Sequence, residues 1–130
     1  MTRLFVYGTL RKPGRNHHYL KTADFITKAQ VKGCLYWIQG LNYPALLEGE
    51  EWISGELYEV DAPTEVRLDE LEGYIAIDHP DNLYHKKQMD IVDERFESLG
   101  KAFVYIFNAD APQARHLVYK RIDENDYFPQ

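Results

Sequence analysis

Cysteine is almost absent: Cys34 is the only one in 130 residues, so no disulfide can close within the chain. That fits a reducing compartment. Cys34 lies in an apolar stretch with no partner signature, and reads as a buried free thiol rather than a nucleophile. Basic charge is also scarce, with 15 Lys and Arg against 21 Asp and Glu and a net charge of −6. Nucleic-acid binding needs a basic field, so it is excluded. The one basic cluster, Arg11, Lys12 and Arg15, is large enough only to attract a small anion. No apolar run approaches the ~18 residues of a membrane span, and residues 1–20 lack a secretory pattern. A cytoplasmic protein with neither nucleic-acid nor membrane partners is expected.

Several catalytic signatures are missing too. Gly14 falls one residue late for a phosphate-binding GxxxxGK[ST], with Arg15 and Asn16 behind it, and there is no GxGxxG. The five histidines form no HExxH or i, i+4 pair, so a metal site is not expected. Ser54 and Ser98 lack the GxSxG setting of a hydrolase.

What is present is a hydrophobic fraction of 45% and ten tyrosines, enough for the core of one domain over residues 1–130. "RLFVYG" predicts a buried strand ending at Gly8, and Asn16 is placed to cap a short helix over 17–22. "AQVKGCLYWI" predicts a strand with a bulge or close approach at Gly33. "YPALLEG" reads as a short extended piece and "WISGELYEVD" as a separate strand. "LYHKKQMDIVD" and "KAFVYIFNA" are two more, joined by a turn or connection ending at Gly100. The tail from Pro112 begins as a short helix and ends in acidic chain. Trp37 and Trp52 read as core or pocket-wall residues. Six strands and two or three helices in mixed order make an α+β fold with a single sheet or small barrel.

"DAPTEVRLDELEGY" is the clearest helix. Asp61 serves as N-cap, Pro63 is tolerated in the first turn, and Gly73 stands where a left-handed C′ residue belongs. At about 100° per residue, Leu68 and Leu71 share a face, Glu72 lies about 40° beyond Leu68, and Glu70 points to solvent. Glu72 therefore borders the buried stripe. It also occupies the negative end of the helix dipole, and both conditions raise a carboxyl pKa. Raised basicity on a fixed element suits a general base. From the helix alone, the plainer reading is one more surface acid.

The stretch "VYGTLR" followed by "LDELEGY" and "LYHKK", with "YPALL", "GELYEVD" and "FVYIF" in order, resembles the gamma-glutamylcyclotransferase-like superfamily over about the whole chain. Its small bacterial members and the gamma-glutamylamine cyclotransferases are the nearest in pattern. The resemblance implies a small mixed β-barrel with flanking short helices. It implies that Tyr7, Gly8, Thr9 and Leu10 hold the α-carboxylate of a γ-glutamyl group, largely through main-chain N–H groups. Glu72 falls on the family's catalytic carboxylate, acting as general acid/base while the substrate's α-amino nitrogen attacks its own γ-carbonyl. The products are 5-oxoproline and a free amine, and no metal or organic cofactor is implied. Tyr84 matches a substrate-placing tyrosine. Lys86 stands where the family often has arginine, and lysine offers no bidentate fork. The loop 74–83 between Glu72 and Tyr84 is expected to act as a partial lid. A non-catalytic module that binds a small γ-glutamyl-like acidic metabolite is the alternative.

Overall fold

A computed structural model describes residues 1–12, 14, 16–39, 44–115 and 117–122. Its strands are β1 (Thr2–Val6), β2 (Asp24–Ile38), β3 (Pro44–Val60), β4 (Tyr84–Val92), β5 (Ser98–Phe107) and β6 (Tyr119–Arg121). One α-helix, α1 (Ala62–Leu71), and a 3₁₀ turn over His17–Leu20 accompany them. The strands pair in the order β3-β1-β5-β4-β2, and β2 pairs back onto β3, so the sheet closes into a ring. β6 adds to β2 through Tyr36↔Arg121 and Ile38↔Tyr119. Only β1 and β5 run parallel, through Leu4↔Phe103 and Phe5↔Val104. Closure removes the open edges that a small sheet would otherwise present.

Period-two alternation divides the core. Phe5, Val31, Leu35, Ile53, Leu57, Val104 and Ile106 pack together in a cluster whose buried members come from the ring strands and Tyr7, none from α1. Their neighbours Leu4, Val6, Tyr58, Val60, Tyr105 and Phe107 point the other way and are covered by Leu68 of α1 and Leu20 of the 3₁₀ turn. Strand β1 is therefore buried on both faces, which is why "LFV" is apolar without a break.

Three expectations need correction. "YPALLEG" and "WISGELYEVD" are one strand, with the pairing jumping from Cys34↔Leu47 to Gly33↔Glu51. Residues 48–50 bulge at that point, so their acidic, glycine-containing sequence resembled a turn. No helix begins at Pro112 among the described residues; successive i→i+3 bonds link Asn108, Ala111, Ala114 and Leu117 instead. The strand β6 that follows was not anticipated, and the acidic end of the tail lies outside the described residues. Asn16 precedes the 3₁₀ turn but makes no side-chain capping bond. Gly33 does mark a bulge, as predicted.

Trp37 and Trp52 are half-buried, and neither lines the cavity described below. Trp52 meets Phe96 edge-on at 5.6 Å, with Lys32 Nζ 5.5 Å from its ring. Cys34 is a free thiol, as expected, but only partly buried, with Sγ 4.0 Å from Glu51 Oε2. No helix among the described residues is long and apolar enough to cross a membrane.

Candidate active site

Where β1 ends, the chain needs partners for groups leaving the ladder. The buried Tyr7 hydroxyl donates to the main-chain oxygen of Tyr105 at 2.7 Å and accepts from Leu46 N at 3.3 Å. That fixes the strand end between β5 and β3. The following loop folds back on itself. Arg11 N donates to Gly8 O at 3.1 Å, Asn16 N to Thr9 O at 3.0 Å, and Gly14 N to Arg11 O. Asn16 Nδ2 donates to Thr9 Oγ1 at 2.9 Å, and His17 Nδ1 donates to Leu10 O at 2.9 Å. From β3 the buried Glu56 carboxylate accepts from Lys12 N at 3.2 Å and from the Tyr58 hydroxyl at 3.0 Å. None of these bonds uses the N–H groups of Gly8, Thr9 or Leu10.

This fold-back leaves no room at Gly14, where a Cβ would overlap the Thr9 main-chain oxygen and stand 2.6 Å from that of Arg11. Gly14→Ala is expected to cost about 1–3 kcal/mol by overpacking, read as a lowered midpoint in thermal denaturation. An unchanged midpoint would mean the loop has another packing available.

Helix α1 forms as its caps dictate. Asp61 accepts from Thr64 N at 2.9 Å, and Gly73 takes φ +64 just beyond Glu72, the C-cap. Leu68 is fully buried and Glu70 exposed, which fixes the roll of the helix. Glu72 turns with the buried stripe. The residue keeps some exposure, but its carboxyl is enclosed, and burial pushes its pKa from 4.5 up to about 7. Among the described residues no group donates a hydrogen bond to that carboxyl.

Glu72 and the loop share one open-mouthed cavity of about 510 Å³, counting the space at its mouth. Tyr7, Gly8, Thr9, Leu10, Glu72 and Tyr84, all picked out from the sequence, line it together. Gly8 sits against Pro44, whose Cγ would be 3.1 Å from a Cβ there. The Tyr84 hydroxyl donates to Pro44 O at 3.0 Å, so that hydrogen fixes the wall. Phe5, Val6, Asn16, Pro44, Leu71 and Tyr105 complete the lining and were not anticipated. The sequence assigns Asn16 only a capping role, and Tyr105 lies in "KAFVYIFNA", predicted only as a strand. Burial raises the Tyr7 hydroxyl pKa, helped by the Glu72 charge, so Tyr7 stays protonated at neutral pH.

Lys86 bridges two carboxylates through a single ammonium group. Its Nζ, with the side chain 7% exposed, pairs with both Glu65 and Asp69, the latter at 3.0 Å. Those carboxylates are one turn apart on α1. Thr2 Oγ1 donates to Glu65 at 2.7 Å and the Tyr105 hydroxyl to Asp69 at 2.6 Å. Burial pushes the Glu65 carboxyl up, but Lys86 and Thr2 bring it below its ordinary value.

No residue of the loop 74–83, expected to act as a partial lid, lines the cavity. That loop closes on itself around the buried Asn82, which accepts from Ile75 N at 2.6 Å and donates to Ala76 O at 2.7 Å. Among the described residues no three His, Cys, Asp or Glu side chains group so as to hold a metal ion.

A ring of mixed strands with one helix is an architecture found in solved structures. An AIG2-like protein of Mus musculus superposes with a TM-score of 0.73 at 28% identity, covering 98% of this chain and 88% of that one. The chain belongs to the gamma-glutamyl cyclotransferase, AIG2-like family, whose model matches residues 4–128. It is similar to the gamma-L-glutamyl-butirosin B gamma-glutamyl cyclotransferase of Niallia circulans, 38% identical over 111 residues, 85% of this chain and 69% of that protein. It is also 35% identical over 130 residues, 98% of each chain, to a Methanocaldococcus jannaschii protein whose gamma-glutamylcyclotransferase designation is provisional.

Proposed function

We propose that this protein converts a γ-glutamyl amine, isopeptide or amino acid into 5-oxoproline and a free amine. The observation that carries the reading is the enclosed Glu72 carboxyl, without a hydrogen-bond donor among the described residues and on one cavity with the Tyr7–Leu10 loop. The N–H groups of Gly8, Thr9 and Leu10, unused by the loop's own bonds among the described residues, take the substrate α-carboxylate. That leaves the α-ammonium to the Glu72 side.

The α-ammonium nitrogen cannot attack while protonated. Ionised Glu72 accepts one proton, and the freed lone pair attacks the γ-carbonyl carbon to close a five-membered ring. The tetrahedral adduct then collapses, breaking the bond from carbon to the leaving nitrogen. Glu72 returns that proton to the leaving nitrogen, and its carboxylate then passes the ring nitrogen's second proton to the departing amine, which leaves as an ammonium, so atoms and charge balance over the cycle. Attack within one molecule, held in register by the loop, gives much of the acceleration. A pKa of about 7 suits a group that must both take and give a proton near neutrality.

The test is 5-oxoproline release over a panel of γ-glutamyl amino acids, γ-glutamyl amines and γ-glutamyl-ε-lysine. Release from at least one substrate supports the reading. Tight binding without release would instead favour a non-catalytic module for γ-glutamyl-like metabolites. The pH dependence follows from the same carboxyl. Only ionised Glu72 can act as base, so kcat/KM should climb as pH rises through about 7, the free-enzyme value. An acidic limb centred near the ordinary 4.5 would count against Glu72 as the enclosed base.

A further inference from the structure

We propose that Asn16 is a positioning residue that makes the Thr9 hydroxyl a donor toward an anion in the cavity, and so selects substrates carrying an α-carboxylate. The inference rests on the γ-glutamyl reading above and names what enforces it.

Thr9 and Asn16 both line the cavity. They are joined twice: Asn16 N donates to Thr9 O at 3.0 Å, and Asn16 Nδ2 donates to Thr9 Oγ1 at 2.9 Å. A hydroxyl has one hydrogen and two acceptor sites. The amide occupies an acceptor site, so the hydrogen is turned away from Asn16. Among the described residues no group accepts it. The main chain that carries the two side chains is itself held in place, because Tyr19 N donates to the Asn16 main-chain oxygen at 3.1 Å and His17 Nδ1 to Leu10 O at 2.9 Å. The cavity is thereby polarised, with donors at the loop and a carboxyl at Glu72. This matches the two charges of an amino-acid end, and without Asn16 the hydroxyl would be free to present a lone pair instead.

The experiment compares native protein with Asn16→Asp, Asn16→Leu, Thr9→Val and the Asn16→Leu/Thr9→Val double variant. KM and kcat are measured on the best γ-glutamyl substrate of the panel. Its 4-aminobutanoyl counterpart, which lacks only the α-carboxylate, is assayed as a competitive inhibitor. Asn16→Asp reverses the bond to Thr9 and adds negative charge, so KM should rise about thirtyfold or more with kcat little changed. Thr9→Val should raise KM about tenfold. The double variant should be no worse than Thr9→Val, because Asn16 acts through Thr9. Inhibition by the counterpart should be unaffected throughout.

Asn16→Asp binding the γ-glutamyl substrate as well as native would overturn the proposal, since the amide oxygen would then face Thr9. An equal loss of affinity for the counterpart would do the same, because a general loosening of the loop would explain it. If Asn16→Asp does not fold, Thr9→Val and Asn16→Leu carry the same comparison. Absence of 5-oxoproline release by native protein would count against the γ-glutamyl reading alone. The variants would then be compared by calorimetric Kd for the same two ligands.

Discussion

Glu72→Gln should lower turnover by about 10³-fold, within the range ascribed to a positioned acid/base group, while making the protein more stable at pH 8. The two effects share one cause. The carboxyl is enclosed without a donor, and the folded state holds its pKa near 7 rather than at 4.5. A carboxyl raised in this way contributes fully to stability below its unfolded value. That contribution disappears as pH rises through about 7, because the folded protein must then carry an enclosed negative charge. At about 1.4 kcal/mol per pH unit, with a discount for the residue's partial exposure, the ionised group costs about 2–3 kcal/mol at pH 8. Glutamine is neutral at every pH and escapes that cost. Urea denaturation of the two proteins should therefore give curves that separate at pH 8 and converge at pH 4. A variant that loses turnover and is no more stable at pH 8 would place Glu72 in a more solvated setting. A variant that keeps its turnover would remove Glu72 from the chemistry.

This trade of stability for reactivity was partly legible in the sequence, because its ingredients are local. Asp61, Pro63 and Gly73 act within a turn of the helix they delimit, and together they fix where α1 stops. Once the stop is known, the roll set by Leu68 decides that Glu72 faces inward and Glu70 outward. The strand-end loop was legible for a similar reason: a glycine after an apolar run, followed by Thr9 and Leu10, marks a turn with exposed main chain. Features that depend on distant pairings were not. Strand β3 was split because its acidic bulge matches a turn in composition, and only pairing with Lys32 and Gly33 on β2 makes it continuous. Nothing in the sequence of the loop 74–83 shows that Asn82 satisfies its main chain from inside. Asn16 was read for its position before a helix, whereas its amide is used by Thr9, seven residues earlier.

Lys86 is the case where local reading failed most, and Lys86→Met should have the second-largest effect. The sequence shows a lysine in a strand; the structure shows one ammonium group joining β4 to two carboxylates of α1, with Thr2 and Tyr105 donating to the same pair. Methionine keeps the apolar stem, ends one atom short of the ammonium, and removes the charge. Breaking a buried ion pair by deleting one partner typically costs about 3–5 kcal/mol, but Glu65 and Asp69 each keep about a quarter of their side-chain surface exposed. Solvent screening should reduce the loss to about 2–4 kcal/mol at pH 7.5. The sign of the pH dependence follows from Glu65, whose pKa Lys86 and Thr2 hold below the ordinary value against burial. That contribution is present above the unfolded value and fades as pH falls through the folded one. In Lys86→Met it is absent throughout, so the deficit relative to native protein should shrink as pH falls and Glu65 protonates. Lys86→Arg should recover most of the stability, because guanidinium can reach both carboxylates. Glu72 is carried at the end of the same helix, three residues beyond Asp69. A helix less firmly fixed to β4 would misplace Glu72, and kcat should fall about 10–100-fold even where Lys86→Met remains folded. Full kcat in a folded Lys86→Met protein would mean that the caps and Leu68 alone hold Glu72 in place.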